Sequence, residues 1–461
     1  MPVRIYYRIA PAKLPVFPVK VKRRAKTDPQ EASMTQEFAG LPIAAPHEAG
    51  FCADRLGRIG PAMDAAVEAG DVPGTATVVL RHGQVVHRHA SGRLDMDREA
   101  PVSMDSLFRM YSQTKPVTAA VVMSLFEEGA FFLDEPVSKW LPEFENPRVA
   151  AYPGADERVR SGLSVEATVP ARREITLFDL LTMTSGLPAI NRTPVAYGPL
   201  MEATWEGTGF FGPAERVNHP EHSYEEKVLA IAEAPLFAQP GETWNYASDF
   251  DVLSLFLTRL TGQDLDTLFR ERIFEPLDMA DSGFYCSEQD LGRLPTEYEW
   301  DEDENLKVRE RPEDAEKAGG SNRPLRSGNG MFGGILSTPA DFARFAQMLL
   351  NGGELDGVRI LGRKTVDLMT TNHIGTRNID LATGPNYGFG FGYSVRKDIG
   401  GSFTPGSPGQ FGWGGAAGTY FFVDPAEDLA GLFFTQVFMY QFLPKANLGE
   451  RFEKLTFEAL A

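Results

Sequence analysis

Strand-like segments lie near both ends of this 461-residue chain, and helical segments lie between them. Residues 75–92, TATVVLRHGQVVHRHASG, predict two strands that turn at His82 and Gly83. After Gly330, the runs YGFGFGYSV, GGAAGTYFFVDP and LAGLFFTQV predict further strands. Strands must lie side by side to form a sheet. The two ends of the chain are therefore expected to build one α/β domain around an inserted helical part.

Apolar residues at helical spacing predict a first helix from Ala53 to Gly70 and a last one from Leu448 to Leu460. Helices are also predicted in the middle of the chain, at residues 117–129, 175–187, 225–234 and 250–262. The segment GMFGGILSTPADFARFAQMLLNGG predicts a short strand, a turn and a helix. The fold class is α/β (α+β), an antiparallel sheet flanked by helices. The predicted boundaries are 41–120 and 325–461 for the α/β domain and 121–324 for the mainly helical domain, with a loop insertion near 191–223.

The composition excludes several classes of function. With 63 acidic and 45 basic side chains the formal charge is −18, which disfavours binding to nucleic acid or to an anionic membrane. Cys52 and Cys286 are far apart, so neither a disulfide framework nor a cysteine metal site is expected. No apolar run approaches the ~18 residues of a membrane span. We expect no metal and no cofactor, and a small, neutral or weakly charged partner.

Residues 1–40 are expected to form a basic, disordered arm. Its first 26 residues carry eight Lys or Arg and no acid, and four prolines interrupt them. This pattern is unlike a secretory signal, so a cytoplasmic location is the default expectation. Met34 begins the ordinary protein sequence, which suggests the hypothesis that residues 1–33 are an upstream extension.

A nucleophilic serine needs a partner that takes its proton. The GxSxG arrangement is absent, and none of the seven histidines stands in a recognisable catalytic context. His87 and His89 would share one face of a strand and could hold a metal. A polar strand face is the favoured interpretation, because no third ligand is near in sequence. Lysine is therefore the candidate base, in the pattern SxxK.

SxxK occurs at Ser112 with Lys115 and at Ser394 with Lys397. The second pair ends a strand-like run, where positions i and i+3 point to opposite faces, so it is not expected to converge. Ser112 and Lys115 precede a helical pattern and would share a face. Pro116 is tolerated only in about the first helical turn, which places Ser112 at a helix start, where free N–H groups favour negative charge. The alternative is a capping serine with a solvent-exposed lysine.

Two later stretches add to this motif. WNYASDF places Tyr246 and Ser248 just before an apolar helix, and FGWGGAAGTYFFV begins with Trp413 and runs into a strand. Taken alone, Tyr246 would be a core aromatic residue and Trp-Gly-Gly would be the tight start of a strand. Together, SQTK, YAS and WGG resemble the three motifs of the serine β-lactamase and penicillin-binding-protein superfamily, and within it the class C-like family VIII carboxylesterases. LLTMTSGLP, FEPLDMADSGF and GGILSTPADFARF are also similar to this family, and the resemblance runs from about Gly50 to the C-terminus.

The resemblance implies an acyl-enzyme mechanism in which Ser112 attacks a carbonyl carbon while Lys115 and Tyr246 manage its proton. Which of the two is the base stays open, because lysine and tyrosine both titrate near pH ~10 when free. The implied oxyanion hole consists of the N–H groups of Ser112 and Ala416. The implied substrate-binding residues are Trp413, Gly414, Gly415 and Ser248. The long gap between the first two motifs points to an insertion at 191–223, which either shapes a pocket or lid or is a plain surface loop.

The third motif separates the possible substrates. Lys-Thr-Gly in β-lactamases offers a cation and a hydroxyl to a carboxylate, whereas Trp413 and Gly414 suit an apolar alkyl or aryl ester. We therefore expect a carboxylesterase for short-chain or aryl esters, with weak β-lactamase activity possible. The alternatives are a β-lactamase, a D-amino-peptide hydrolase, an acyltransferase of the same fold and a binding protein without activity. Acyl-chain length, alcohol preference, stereoselectivity and oligomeric state stay open.

Overall fold

The computed structural model describes residues 37–150, 168–187, 223–233, 235–301, 303–313, 334–379, 386–440 and 447–461. The hypothetical extension at residues 1–33 lies outside these residues, as does the predicted insertion up to residue 222. Within the described part of the chain, no helix combines the length and the apolarity that a membrane span requires.

The strands are numbered β1 to β17 along the chain. They are β1 Glu37–Phe38, β2 Leu41–Pro42, β3 Gly74–Arg81, β4 Gln84–Gly92, β5 Phe108–Arg109, β6 Arg148–Ala150, β7 Thr168–Pro170, β8 Glu297–Trp300, β9 Leu306–Glu310, β10 Leu336–Ser337, β11 Glu354–Leu355, β12 Val358–Arg359, β13 Tyr387–Phe389, β14 Ser394–Arg396, β15 Phe411–Gly414, β16 Tyr420–Asp424 and β17 Leu429–Phe434.

A seven-stranded antiparallel sheet has the order β13-β14-β15-β16-β17-β3-β4. The strands from the two ends of the chain meet where β17 pairs with β3, with Gly431 opposite Val79. The remaining strands form separate antiparallel pairs, and β5 pairs with β10 across more than 200 residues of sequence. An antiparallel sheet flanked by helices is thereby confirmed as the fold. The division into two domains stays a prediction.

The α-helices within the described residues are numbered α1 to α10 in chain order. They are α1 Ala53–Leu56, α2 Ile59–Glu68, α3 Thr114–Glu127, α4 Leu177–Leu181, α5 Tyr224–Ala232, α6 Asp249–Thr261, α7 Leu265–Phe269, α8 Pro339–Leu350, α9 Arg363–Met369 and α10 Leu448–Glu458. Short 3-10 helices cover Pro46–Ala49, Tyr111–Gln113, Val137–Lys139, Pro142–Phe144 and Leu291–Arg293, and a π-helical turn, Arg270–Phe274, continues α7.

The sheet separates two apolar cores. Along β3, Ala76, Val78 and Leu80 face the core that contains α3 and α8, whereas Val79 faces the core formed with α2 and α10. This alternation follows from the two-residue period of a strand. Both faces of β3 are therefore buried, which accounts for its nearly unbroken apolar sequence.

Three predicted elements differ from the observed ones. The helix expected from Ala53 to Gly70 is divided into α1 and α2, because Pro61 lacks an N–H and is tolerated only in the first turn of a helix. The helix expected at 175–187 ends at Leu181, since Met183 and Gly186 have positive φ angles of 53° and 83°. The run YGFGFGYSV forms the hairpin β13-β14, which turns at Gly392 with a φ of 83°.

Candidate active site

The first motif lies on a sharp turn. Tyr111–Gln113 form one turn of 3-10 helix, and α3 follows directly from Thr114. Tyr111 has a φ of 45°, an uncommon conformation for a residue other than glycine. Pro116 is the third residue of α3, where its missing N–H leaves no hydrogen bond unmade. Ser112 therefore precedes the helix, as the proline predicts.

Lysine and tyrosine both reach the Ser112 hydroxyl. Lys115 Nζ donates to Ser112 Oγ at 3.2 Å, and the Tyr246 hydroxyl donates to the same oxygen. Lys115 Nζ also lies 4.9 Å from the centre of the Tyr246 ring. Lys115 is 1% exposed and Ser112 is 8% exposed, so a solvent-exposed lysine beside a capping serine is not what the structure contains. The amine and the phenol converge on one hydroxyl, with Lys115 and Ser112 buried and Tyr246 half-buried.

The second motif enters from the segment before α6. Tyr246 precedes this helix, and α6 packs against α3. Ser248 occupies the N-cap position of α6 and is buried, but its hydroxyl makes no cap hydrogen bond. The contact between α3 and α6 carries Tyr246 to a serine that is 134 residues distant in sequence.

The third motif approaches the same turn from the sheet. Gly415 follows β15 and packs directly on the Met110 backbone, where an added Cβ would overlap the Met110 carbonyl oxygen. The N–H of Ala416, the next residue, has no hydrogen-bond partner among the described residues. The N–H of Ser112 lies in the first helical turn, where no intrahelical carbonyl is available. These two N–H groups thus lie on segments that meet where Gly415 packs on Met110.

Trp413 is buried among aromatic rings at the end of the site. It is 5% exposed, and its ring centre lies 5.8 Å from that of Tyr246 and 5.3 Å from that of Phe389. The indole of Trp413 packs behind the Tyr246 ring. It is covered because its strand, β15, lies in the interior of the sheet between β14 and β16. Gly414 is half-buried and Gly415 is buried.

Asp249 was not identified from the sequence, although it follows Tyr246 by only three residues. It is the first residue of α6 and is fully buried. Burial raises the pKa of Asp249 to about 8, while the hydroxyl of Ser185 and the charge of Lys115 act in the opposite direction. An acidic residue at the start of a helix usually interacts with the helix dipole on the surface, so the sequence contains no signal of this burial.

The other candidate residues lie outside this site. Ser394 Oγ donates to the Gly412 carbonyl at 2.9 Å, and Lys397 Nζ contacts Thr376 and Asn378, so the second SxxK does not converge.

The two histidines of β4 have separate partners. His87 Nε2 lies 2.9 Å from Thr77 Oγ1, and His89 Nε2 lies 2.7 Å from an Asp64 oxygen. Burial and the charge of His89 lower the pKa of His87 to about 4. Among the residues that the structure describes, no group of three or more His, Cys, Asp or Glu could hold a metal.

The fold and the three motifs together define a class of serine enzyme, and here a lysine and a tyrosine both hydrogen-bond the serine of the first motif. Residues 61–448 match the family model described as Beta-lactamase. This match covers well over half of the chain, which therefore belongs to the beta-lactamase family.

Curated relatives and solved structures agree with this assignment. Protein Rv1367c of Mycobacterium tuberculosis (strain ATCC 25618 / H37Rv) is 33% identical over 391 residues, which cover 80% of this chain and 87% of that protein. Esterase EstB of Burkholderia gladioli is 29% identical over 394 residues, 82% of this chain and 89% of that protein. The solved structure of "EstCE1, a hydrolase with promiscuous acyltransferase activity" has a TM-score of 0.69 at 24% identity, and the match covers 88% of this chain and 98% of that chain. EstCE1 and this chain share a fold.

Proposed function

We propose that this protein is a serine carboxylesterase that hydrolyses short-chain or aryl carboxylic esters through an acyl-enzyme on Ser112. The observation that carries the proposal is the convergence of Lys115 and Tyr246 on Ser112 Oγ inside a buried site. Membership of the beta-lactamase family and the similarity to Esterase EstB support it.

In the first half of the reaction, Ser112 Oγ attacks the ester carbonyl carbon and its proton passes to the Lys115–Tyr246 pair. The carbonyl oxygen becomes an oxyanion between the N–H groups of Ser112 and Ala416. One such donor typically contributes ~3 kcal/mol of transition-state stabilisation. The bond between the carbonyl carbon and the alcohol oxygen then breaks. The pair returns the proton to the departing alcohol, which leaves an ester of Ser112.

In the second half, water attacks the acyl-enzyme carbonyl and gives a proton to the same pair. The oxyanion forms again at the same two N–H groups. When the bond to Ser112 Oγ breaks, the proton goes to that oxygen, so the free carboxylic acid leaves and the serine is restored. Lys115 and Tyr246 both hydrogen-bond Ser112 Oγ, so each is placed to exchange a proton with it.

The third motif favours esters over β-lactams. Trp413 and Gly414 provide neither the cation nor the hydroxyl that a β-lactam carboxylate requires. Trp413 packs against the Tyr246 ring from behind, so the wall of the site at this point is apolar and carries no cation. The small residues Gly414, Gly415 and Ala416 let substrate approach the backbone, and Ser248 lies close to Tyr246 in the same segment.

The proposal predicts that Ser112→Ala abolishes ester hydrolysis. The rate constant kcat for p-nitrophenyl acetate and butyrate is expected to fall by at least ~10³-fold, because the nucleophile is lost while the N–H groups remain. The matched control is Ser394→Ala, which changes the serine of the other SxxK and is expected to retain activity.

Three outcomes would contradict the proposal in different ways. Retained hydrolysis and fluorophosphonate labelling in Ser112→Ala would remove Ser112 from the mechanism. Much faster cleavage of a cephalosporin than of p-nitrophenyl esters would indicate a β-lactamase. Transfer of the acyl group to an added alcohol in preference to water would indicate an acyltransferase.

A further inference from the structure

Tyr111, the residue before Ser112, is held in a backbone conformation that aromatic residues rarely adopt. Its φ of 45° lies in the left-handed region. Such a conformation persists only where the surrounding structure imposes it. Because the serine follows directly, the backbone at Tyr111 determines where the hydroxyl and the N–H of Ser112 lie. Contacts that hold Tyr111 therefore also hold the proposed nucleophile.

The segment 436–439, just after β17, contacts this turn at two points. The N–H of Arg109 donates to Gln436 Oε1 at 3.1 Å, and Gln436 Nε2 donates to the Arg109 carbonyl at 3.4 Å. The ring centre of Phe438 lies 6.0 Å from that of Tyr111, with 55° between the ring planes, which is a contact distance for aromatic rings. Hydrogen bonds and a ring contact therefore both connect segment 436–439 to the turn.

The same segment is bonded to the third motif. The N–H of Met439 donates to the Ala416 carbonyl, and the N–H of Val437 donates to the Ala417 carbonyl at 2.9 Å. Ala416 carries the second N–H group of the proposed oxyanion hole. Segment 436–439 thus connects the turn that carries one of the two N–H groups to the backbone that carries the other.

Phe438 is itself held by the hairpin β8-β9. Its N–H donates to the Tyr298 carbonyl on β8 at 2.7 Å. The guanidinium carbon of Arg309, on β9, lies 3.8 Å from the centre of the Phe438 ring, a cation–π contact. Arg309 pairs in turn with Glu297 at 3.2 Å and with Glu299 at 2.9 Å, both on β8. The Phe438 ring is therefore held by its own backbone and by a cation with two carboxylate partners.

We propose that Phe438 is a positioning residue that holds Tyr111 and, through it, the nucleophile Ser112. Arg309 acts on the same turn through the Phe438 ring. The proposal rests on the proposed function, in which Ser112 attacks the ester and the N–H groups of Ser112 and Ala416 bind the oxyanion. The ring opposes the return of Tyr111 to a more common φ, a change that would move the serine relative to Ala416. Backbone donors stabilise an oxyanion only when they lie at hydrogen-bond distance from it.

The experiment compares Phe438→Ala with the wild type. It measures kcat and KM for p-nitrophenyl acetate and butyrate, and the rate constant for covalent labelling of Ser112 by a fluorophosphonate. Both kcat and the labelling rate constant are expected to fall by about 10²-fold, because a misplacement of about 1 Å can cost that much, while KM stays near its wild-type value. Phe438→Tyr keeps the ring and is expected to restore both rates. Wild-type rates in Phe438→Ala overturn the proposal.

The two esters separate a positioning role from direct contact with substrate. A displaced serine slows its reaction with every acyl group, so the loss of kcat in Phe438→Ala is expected to be equal for acetate and butyrate. A loss that depends on the length of the acyl chain would show that the ring contacts the substrate, and it overturns the positioning role.

A matched aromatic residue controls for the loss of a ring contact in general. Phe126 is half-buried, as Phe438 is, and its ring centre lies 6.1 Å from that of Phe131, with 49° between the ring planes. Phe126→Ala is expected to keep the wild-type rates, and an equal loss in both alanine variants overturns the proposal. Phe438→Leu keeps much of the apolar volume without the ring and is also expected to lower both rates, so the test survives if Phe438→Ala does not fold.

Arg309→Met tests the second part of the proposal. It is expected to lower kcat by less than Phe438→Ala, because the ring remains but loses its cationic partner. In the Phe438→Ala background the same substitution is expected to cause no further loss of kcat, and additive losses overturn the role of Arg309 through the ring. Lys307→Met is the control, since it removes another cation of β9, paired with Glu299 at 3.1 Å, and is expected to keep the wild-type kcat.

The labelling readout also distinguishes this inference from the proposed function. A wild-type protein that is not labelled at Ser112 contradicts the assignment of the nucleophile, and the role of Phe438 with it. Labelling of Phe438→Ala at the wild-type rate contradicts only the role of Phe438. Labelling without ester turnover contradicts the choice of substrate, and the comparison of labelling rates still decides the role of Phe438.

Discussion

At the scale of single residues, Gly415 determines how closely the third motif approaches the first. Its Cα lies against the Met110 carbonyl and the Thr419 hydroxyl, which leaves no room for a side chain. The N–H group of Ala416 is positioned by this contact, since Ala416 is the next residue in the chain. A backbone donor for an oxyanion must be placed to within a fraction of an ångström.

Gly415→Ala is therefore expected to damage catalysis more than folding. The new Cβ must push the end of β15 away from Met110, and a misplacement of about 1 Å can cost ~10²-fold in rate. We expect kcat to fall by about that factor while the free energy of unfolding changes by a few kcal/mol at most. Gly292→Ala is the control, because an added Cβ there meets no atom within 4 Å. Equal kcat values for the two variants would contradict this role of Gly415.

At the scale of secondary structure, β4 illustrates how a strand can hold a titratable group in its neutral form. His87 bonds to Thr77 on the neighbouring β3, and His89 on the same strand bonds to Asp64 of α2. The lowered pKa of His87 means that the folded state resists its protonation. In the unfolded chain the same imidazole titrates near its ordinary value of 6.5.

His87→Gln is expected to reduce the acid sensitivity of the fold. The wild-type unfolded state binds the proton more readily, so the free energy of unfolding falls as the pH drops from about 6.5 to about 4. Glutamine keeps a polar partner for Thr77 but has no charge to gain, so its stability is expected to fall less across this window. Urea unfolding at a series of pH values measures the difference. His47→Gln, which changes an exposed imidazole, is the control.

At the scale of the whole molecule, the C-terminal helix is attached to the sheet by a buried polar network. Glu453 on α10 accepts from Arg396 at 3.0 Å and from Gln410 at 2.8 Å. Its other oxygen accepts from the Tyr420 hydroxyl at 2.7 Å. Arg396 and Glu453 are both buried, so their charges depend on each other. The network joins β14, β16 and α10 across one face of the sheet.

Glu453→Ala is expected to destabilise the protein by about 3–5 kcal/mol, because it leaves the guanidinium of Arg396 buried without its counter-charge. The free energy of unfolding in denaturant is the measurement. Lys454→Ala serves as the control on the same helix, since its pair with Glu458 is exposed and should contribute less than about 1 kcal/mol. A loss for Glu453→Ala no greater than that of the control would show that the network carries little stability.

Much of the fold and part of the candidate site followed from local patterns in the sequence. Pro116 located the start of α3 because the loss of an N–H is a local constraint. The two strand-like runs on either side of His82 and Gly83 predicted a hairpin for the same kind of reason. The proline at position 61 carried equal information about α2, and the prediction of one long helix there was wrong because that constraint was not applied. Sequence alone also selected Ser112 over Ser394. Residues i and i+3 share one face of a helix, whereas on a strand they point to opposite faces.

Only the tertiary structure decided how distant residues meet. Tyr246 reaches Ser112 because α6 packs on α3, and Trp413 lies behind that tyrosine instead of open to substrate. The burial of Asp249 likewise depends on packing between α6 and helices that lie far from it in sequence, such as α3. Side-chain identity defines which chemistry a residue can perform. The protonation state of a residue and its partners depend on the local dielectric and on neighbouring charges. Both are set only when the chain is packed.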